Sequence, residues 1–143
     1  MTITSIGIIG AGTMGNGIAQ VAASAGYDVV LLDVSDAALE KGLAALSNSL
    51  DRLIKKEVMN AEQKSQTLAR IKTTTHYADL AQVSLVIEAA TENQAIKESI
   101  LQQVDQVVSN DTIIASNTSS ISITHLGSRN SRPERFKIGR AHV

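Results

Sequence analysis

Apolar residues along this chain fall into two alternating rhythms. Short, branched, nearly continuous runs occupy Ser5–Ile9, Val29–Asp33, Val83–Glu88 and Thr112–Ser116, with a weaker one at Ile71–Thr75. Each has the length and residue types of a strand. Ser84-Leu85-Val86-Ile87 shows little polar alternation, as expected of a strand covered on both faces. Between these runs, apolar residues recur at helical spacing. Met14, Ile18, Val21, Ala22 and Ala25 outline a first helix, and Gly26 stands where a helix stops. Leu39, Leu43, Leu46, Leu50 and Leu53 form the stripe of a long second helix, from a cap at Ser35 to about Lys56. Its other face carries Lys41, Asn48, Asp51, Arg52 and Lys55. A third helix, about Ala61–Arg70, follows Asn60, and a fourth covers Asn93–Val108, with Ile96, Ile100, Leu101, Val104 and Val107/Val108 on its buried side. Strand alternating with helix predicts an α/β fold with a mostly parallel sheet and helices on both faces. The helix pair after the second strand is an insertion, since a βαβ unit needs only one crossover.

The junctions carry the chemistry. Gly10-Ala11-Gly12-Thr13-Met14-Gly15 links the first strand to the first helix, and Asp33 closes the second strand, 18 residues beyond Gly15. A Gly-x-Gly-x-x-Gly turn alone is weak evidence, but strand, turn, helix, strand and acid together form the Rossmann fingerprint for a dinucleotide. Gly10 allows the sharp turn, Gly12 lets the backbone approach a diphosphate, and Gly15 lets helix and strand pack closely. The helix N-terminus faces the phosphates with free N–H groups and the positive end of its dipole. Asp33 accepts hydrogen bonds from ribose hydroxyls and would repel a 2′-phosphate. No arginine follows it in Val34-Ser35-Asp36, so the expected cofactor is NAD rather than NADP. The competing reading of Asp33 is a strand-end acid or helix cap.

Bulk composition narrows the remaining classes. With 143 residues the chain fits one domain large enough for a real core. A net charge of -1 gives no electrostatic reason to bind nucleic acid or an anionic membrane. Tyr27, Tyr77 and Phe136 are the only aromatic residues, too few for a base-stacking platform. The absence of cysteine excludes disulfides and thiolate chemistry. No apolar run reaches the length of a membrane span, and Met1-Thr2-Ile3-Thr4 lacks the basic start of a signal peptide, so a cytoplasmic location is expected. No His, Asp and Glu cluster has metal-ligand spacing, and no metal is expected. His76 and His125 read as surface histidines.

Two further features leave alternatives open. Lys55-Lys56 on the insertion reads either as a solvated face or as a contact for an anion. Asn117-Thr118-Ser119-Ser120 follows a parallel strand at the carboxyl edge of the sheet, where ligands bind in open α/β sheets. It reads equally as a turn with a helix cap at Ser122.

Four segments, in order, resemble the amino-terminal domain of the L-3-hydroxyacyl-CoA dehydrogenases, especially bacterial 3-hydroxybutyryl-CoA dehydrogenases. They are Gly10–Gly15, Ile87-Glu88-Ala89-Ala90-Thr91-Glu92-Asn93, Ala115-Ser116-Asn117-Thr118-Ser119-Ser120-Ile121, and Arg132-Pro133-Glu134-Arg135-Phe136. The resemblance runs from about Ile3 to about Phe136. It implies that Gly10, Ala11, Gly12, Thr13, Met14, Gly15 and Asp33 hold the adenosine half of NAD, and that Glu92 and Lys97 lie near the nicotinamide ribose. It gives Ser119 contact with both nicotinamide and substrate, as the one catalytic residue of the family present here. Ser49 and Lys56 match contacts to coenzyme A, which favours the anion-contact reading of Lys56. The bland readings are a helix-start acid for Glu92, a solvated helix residue for Lys97, and for Glu88 a strand-end carboxylate with no assigned role. The implied reaction is reversible hydride transfer between a 3-hydroxyacyl-CoA and NAD, with a histidine as base.

The resemblance stops near the end of the chain. Lys137-Ile138-Gly139-Arg140-Ala141-His142-Val143 does not continue the family pattern, and His142 lies six positions after Phe136, further along than the family's histidine. The expected organisation is therefore an NAD-binding domain over 1–136, a non-family and artefactual tail over 137–143, and an absent helical carboxy-terminal domain. In the family that domain completes the substrate cleft and forms the homodimer. On this view the chain holds a cofactor but is nearly inactive alone. The alternatives are a non-catalytic dinucleotide-binding module and a related dehydrogenase acting on a sugar acid.

Overall fold

A computed structural model describes residues 3–91 and 93–116, and the backbone of the strand Phe136–Ile138. In chain order the elements are β1 (Ser5–Ile9), α1 (Thr13–Ser24), β2 (Asp28–Leu32), α2 (Asp36–Lys55), α3 (Ala61–Ala69), β3 (Ile71–Thr74), a 3-10 turn (Tyr77–Leu80), β4 (Leu85–Glu88), α4 (Gln94–Val107), β5 (Ile113–Ser116) and β6 (Phe136–Ile138). The strands form one parallel sheet in the order β3-β2-β1-β4-β5-β6. This is the expected doubly wound α/β arrangement. The order reverses between β1 and β4, which opens a crevice at their carboxyl ends.

Local chemistry sets the helix starts. Ser35 Oγ accepts the Ala38 N–H at the head of α2, and Asn93 Oδ1 accepts the Ile96 N–H at the head of α4. Asn60 and Gln63 form a reciprocal capping box at α3. The long helix and its short successor thus form the insertion between β2 and β3.

Each face of the sheet has its own core. On one, Ala19, Ala22 and Ala23 of α1 and Leu39, Leu46 and Leu50 of α2 pack on Ile6, Ile8, Val29 and Leu31. On the other, Ile100, Leu101, Val104 and Val108 pack with Leu80 on Ile9, Leu32, Val86 and Ile114. Four stripe positions are exposed: Met14, Val21 and Ala25 of the first helix and its cap, and Ile96 of α4. Val21 is 70% exposed, and the buried face of α1 is Gly15, Ala19, Ala22 and Ala23, because only the smallest side chains let the helix lie close to the sheet. Ile96 is 52% exposed rather than buried, because it sits in the first turn of α4 and borders a cavity instead of the core.

Candidate functional site

Gly10 ends β1 with φ at +107°, a left-handed conformation that L side chains rarely adopt. Its N–H bonds to Leu32 O at 2.7 Å, so the turn is tied to the end of β2. A Cβ at Gly10 would lie 2.7 Å from Ala90 Cα, and one at Gly15 would lie 1.8 Å from Gly10 O. The turn is therefore wedged between α1 and the β4–α4 connection. Gly12 is different: a Cβ there would meet nothing within 4 Å. Gly12 caps α1 with no side-chain hydrogen bond, and the first turn of α1 has no acidic residue. Its N–H groups are left for an outside acceptor, the condition for an anion site.

Asp33, just beyond β2, faces this turn. Its Oδ2 accepts the Ala11 N–H at 2.9 Å and its Oδ1 the Ser35 N–H at 3.1 Å. Two bonds leave a carboxylate with further acceptor capacity for hydroxyl donors. Asp33 borders two cavities that also share Gly10 and Ala90. The first, of about 640 Å³, is mostly apolar and is bounded by Ile9, Leu32, Val34, Tyr77, Thr91, Ile96 and Ile100. The second, of about 410 Å³, lies over the glycine turn and is bounded by Gly12, Thr13, Asn16, Lys41, Gly42 and Ala89. An apolar slot, a carboxylate at the divide and a side-chain-free helix start with a lysine nearby suit a base, a ribose and a diphosphate in that order. The residues present therefore fit a dinucleotide. Asn16 Oδ1, buried beside the second cavity, has no hydrogen-bond partner among the described residues.

Tyr77 belongs to the 3-10 turn, an element the periodicity did not reveal. Burial, then the negative charges of Asp33 and Glu88, raises its phenol above the ordinary tyrosine value. The hydroxyl is accordingly neutral and able to donate beside the first cavity.

The residues marked by resemblance are distributed more widely. Met14 is exposed on the first turn of α1, and Ala11 is buried in the turn that precedes it. Ser49 is half-buried on α2, and Lys56 is the exposed C-cap of that helix. They are spaced two turns apart, and neither borders the two cavities. Glu92, Ser119 and the run Asn117–Ser120 lie outside the described residues, as do His125 and His142. Lys97 is not a solvated helix residue. It is fully buried, and its Nζ bonds to Glu88 Oε1 and, at 3.4 Å, to Ser116 Oγ. Glu88 and Ser116 are also fully buried. Sequence reasoning gave Glu88 no role. The available signal was a carboxylate ending a strand expected to be covered on both faces, which requires a buried partner.

This geometry can be compared with known proteins. The model of the 3-hydroxyacyl-CoA dehydrogenase NAD-binding domain family matches residues 5–142. The chain belongs to that family. NAD is thus the cofactor of this domain. The domain is 48% identical over 134 residues to a 3-hydroxybutyryl-CoA dehydrogenase of Bradyrhizobium diazoefficiens, covering 94% of this chain and 46% of that protein. It is 39% identical over 134 residues to the alpha subunit of a fatty acid oxidation complex from a Psychrobacter species, covering 94% of this chain and 19% of the subunit. The crystal structure of (S)-3-hydroxybutyryl-CoA dehydrogenase from Ralstonia eutropha superimposes with a TM-score of 0.95 at 55% identity, covering 97% of this chain and 49% of that one. The chain therefore spans about half the length of these two dehydrogenases. Among the described residues, no helix is long and apolar enough to cross a membrane, and no group of three or more His, Cys, Asp and Glu could hold a metal ion.

Proposed function

We propose that this chain is the cofactor-binding portion of an NAD-dependent 3-hydroxyacyl-CoA dehydrogenase that interconverts 3-hydroxyacyl-CoA and 3-oxoacyl-CoA. The observation that carries the reading is the join of an uncapped, side-chain-free α1 N-terminus to Asp33 across a crevice at the sheet's switch point. NAD, when bound, supplies the two-electron chemistry. The chain's own residues bind and orient. Gly12, Thr13, Met14 and Gly15 hold the diphosphate through the open start of α1, Gly10 and Ala11 shape the turn beneath the cofactor, and Lys41 borders the same cavity. Asp33 accepts from the adenosine ribose. Glu92 and Lys97 serve the nicotinamide end, Lys97 through the wall that it braces. Ser119 hydrogen-bonds the reacting oxygen and is the catalytic residue on this side of the cleft.

The proposed organisation is an NAD-binding domain over 1–136 with a tail over 137–143, of which Lys137 and Ile138 complete β6. A further helical domain, outside this chain, supplies the histidine base and the homodimer contact of a cytoplasmic enzyme. The chain by itself then binds NAD with little turnover. A 3-hydroxyacyl-CoA is favoured over a sugar acid because Ser49 and Lys56 stand two turns apart on α2, outside the cofactor cavities, where a long pantetheine and nucleotide can be met.

The test uses the longer natural gene product, with acetoacetyl-CoA as substrate and NADH absorbance as readout. Turnover is expected. Lys56→Ala and Ser49→Ala should each raise the KM for acetoacetyl-CoA by roughly 5- to 20-fold, as loss of one charged or polar contact does, with kcat nearly unchanged. No turnover with acetoacetyl-CoA would sink the substrate assignment. An unchanged KM in both variants would remove Ser49 and Lys56 from the CoA site.

A further inference from the structure

The buried carboxylate of Glu88 is bonded on both oxygens. Oε1 accepts the Lys97 ammonium and, at 2.9 Å, the Ser116 hydroxyl. Oε2 accepts the backbone N–H of Ala90 at 2.7 Å and of Thr91 at 3.3 Å. The four partners lie on three pieces of chain: the β4–α4 turn, α4, and the last residue of β5. Ala89 N–H also bonds to Ile9 O at 2.9 Å, which sets this turn across the end of β1. The turn matters to the site because Ala90 borders both cavities, Thr91 the first and Ala89 the second. Ala90 Cα is also the atom closest to where a Gly10 side chain would begin. A displacement of this turn would therefore move the wall that the two cavities share.

We propose that Glu88 is a positioning residue for the cofactor. Its carboxylate fixes the Ala89–Thr91 turn as the shared wall of the two cavities. Through Ser116, it ties that wall to the carboxyl end of β5. Lys97 supplies the counter-charge that allows a carboxylate to sit there. Glu88 never touches the ligand. It acts through the two N–H groups it holds, and an apolar residue of the same size would leave both without an acceptor. The proposal rests on the NAD reading only for its effect on affinity. The ordering of the turn stands apart from it.

The test compares two double variants that lack the ion pair equally. E88Q/K97M keeps a side-chain acceptor for the turn and a donor for Ser116, whereas E88M/K97M keeps neither. At matched thermal stability, E88Q/K97M should bind NADH about tenfold more tightly than E88M/K97M. The Ala90 and Thr91 amides, followed by hydrogen exchange without cofactor, should exchange about tenfold more slowly in E88Q/K97M. A structural role alone would move stability in both variants and separate neither readout. Equal exchange at the two amides would overturn the proposal. Equal NADH affinity with unequal exchange would overturn the part that concerns the cofactor. The natural chain supplies a measurement that needs no variant: its Ala90 and Thr91 amides should be protected although Ala90 is exposed. Exchange of both at the rate of an open loop would overturn the assignment. A natural chain with protected amides and no NADH binding would count against the proposed function and leave the turn-ordering role supported.

Discussion

Lys97→Met should lower the unfolding free energy of the chain by about 3–5 kcal/mol, the cost of removing one member of a buried ion pair. The side chain is fully buried on α4, and the variant fills most of the same volume, so lost packing contributes little. What remains is Glu88, fully buried without its counter-charge. Its other partners, Ser116 and the Ala90 and Thr91 N–H groups, are dipoles that offset only part of the desolvation. The measurement is urea unfolding, with the midpoint falling and the slope unchanged. A loss below about 1 kcal/mol would match an exposed pair and would contradict the burial described for these groups.

Gly15→Ala and Gly12→Ala should separate folding from binding. At Gly15 an added Cβ falls 1.8 Å from Gly10 O and 2.9 Å from Gly10 C. Those are backbone atoms of a turn held by the Gly10 N–H bond to Leu32 O, so they cannot move aside as a flexible side chain would. Helix α1 must lift, and Ala19, Ala22 and Ala23 lose their contact with the sheet. A loss of about 3 kcal/mol or more is expected, which lowers Tm by roughly 6–12 °C for a domain of this size. NADH binding should disappear with it. At Gly12 the new methyl meets nothing, and φ is an ordinary -71°. The stability cost is then at most about 1 kcal/mol, that of alanine at a helix cap. The methyl stands where a diphosphate must approach the backbone, so NADH affinity should fall at least about tenfold. Calorimetric melting and NADH titration of both variants check the pair. Equal losses of affinity and stability in Gly12→Ala would show that its openness serves no ligand.

The parts of this fold that were legible in the sequence are those with a local period. Five strands and four helices follow from runs of two kinds, and their ends from Ser35, Asn60 and Asn93, whose side chains bond within three residues. The glycine turn and Asp33 were legible because a dinucleotide makes separate demands at fixed spacings. Less visible was whatever depends on partners distant in sequence. Ile96 and Val21 fit a helical stripe, but a stripe does not say whether core, ligand or solvent covers each turn. Lys97 neighbours Ile96 and reads as the polar side of its helix. Its partner lies nine residues back, on a strand whose position beside β5 is fixed only by sheet order. The 3-10 turn at Tyr77 is too short to carry a period at all.

Titration of the folded chain with NADH and with NADPH tests most directly whether the glycine turn and Asp33 form a site for NAD. NADH should bind with one-to-one stoichiometry. NADPH should bind at least about 100-fold more weakly, since its extra phosphate meets the Asp33 carboxylate. Equal affinity for the two nucleotides, or no binding of either by a chain shown to be folded by circular dichroism, would contradict the account.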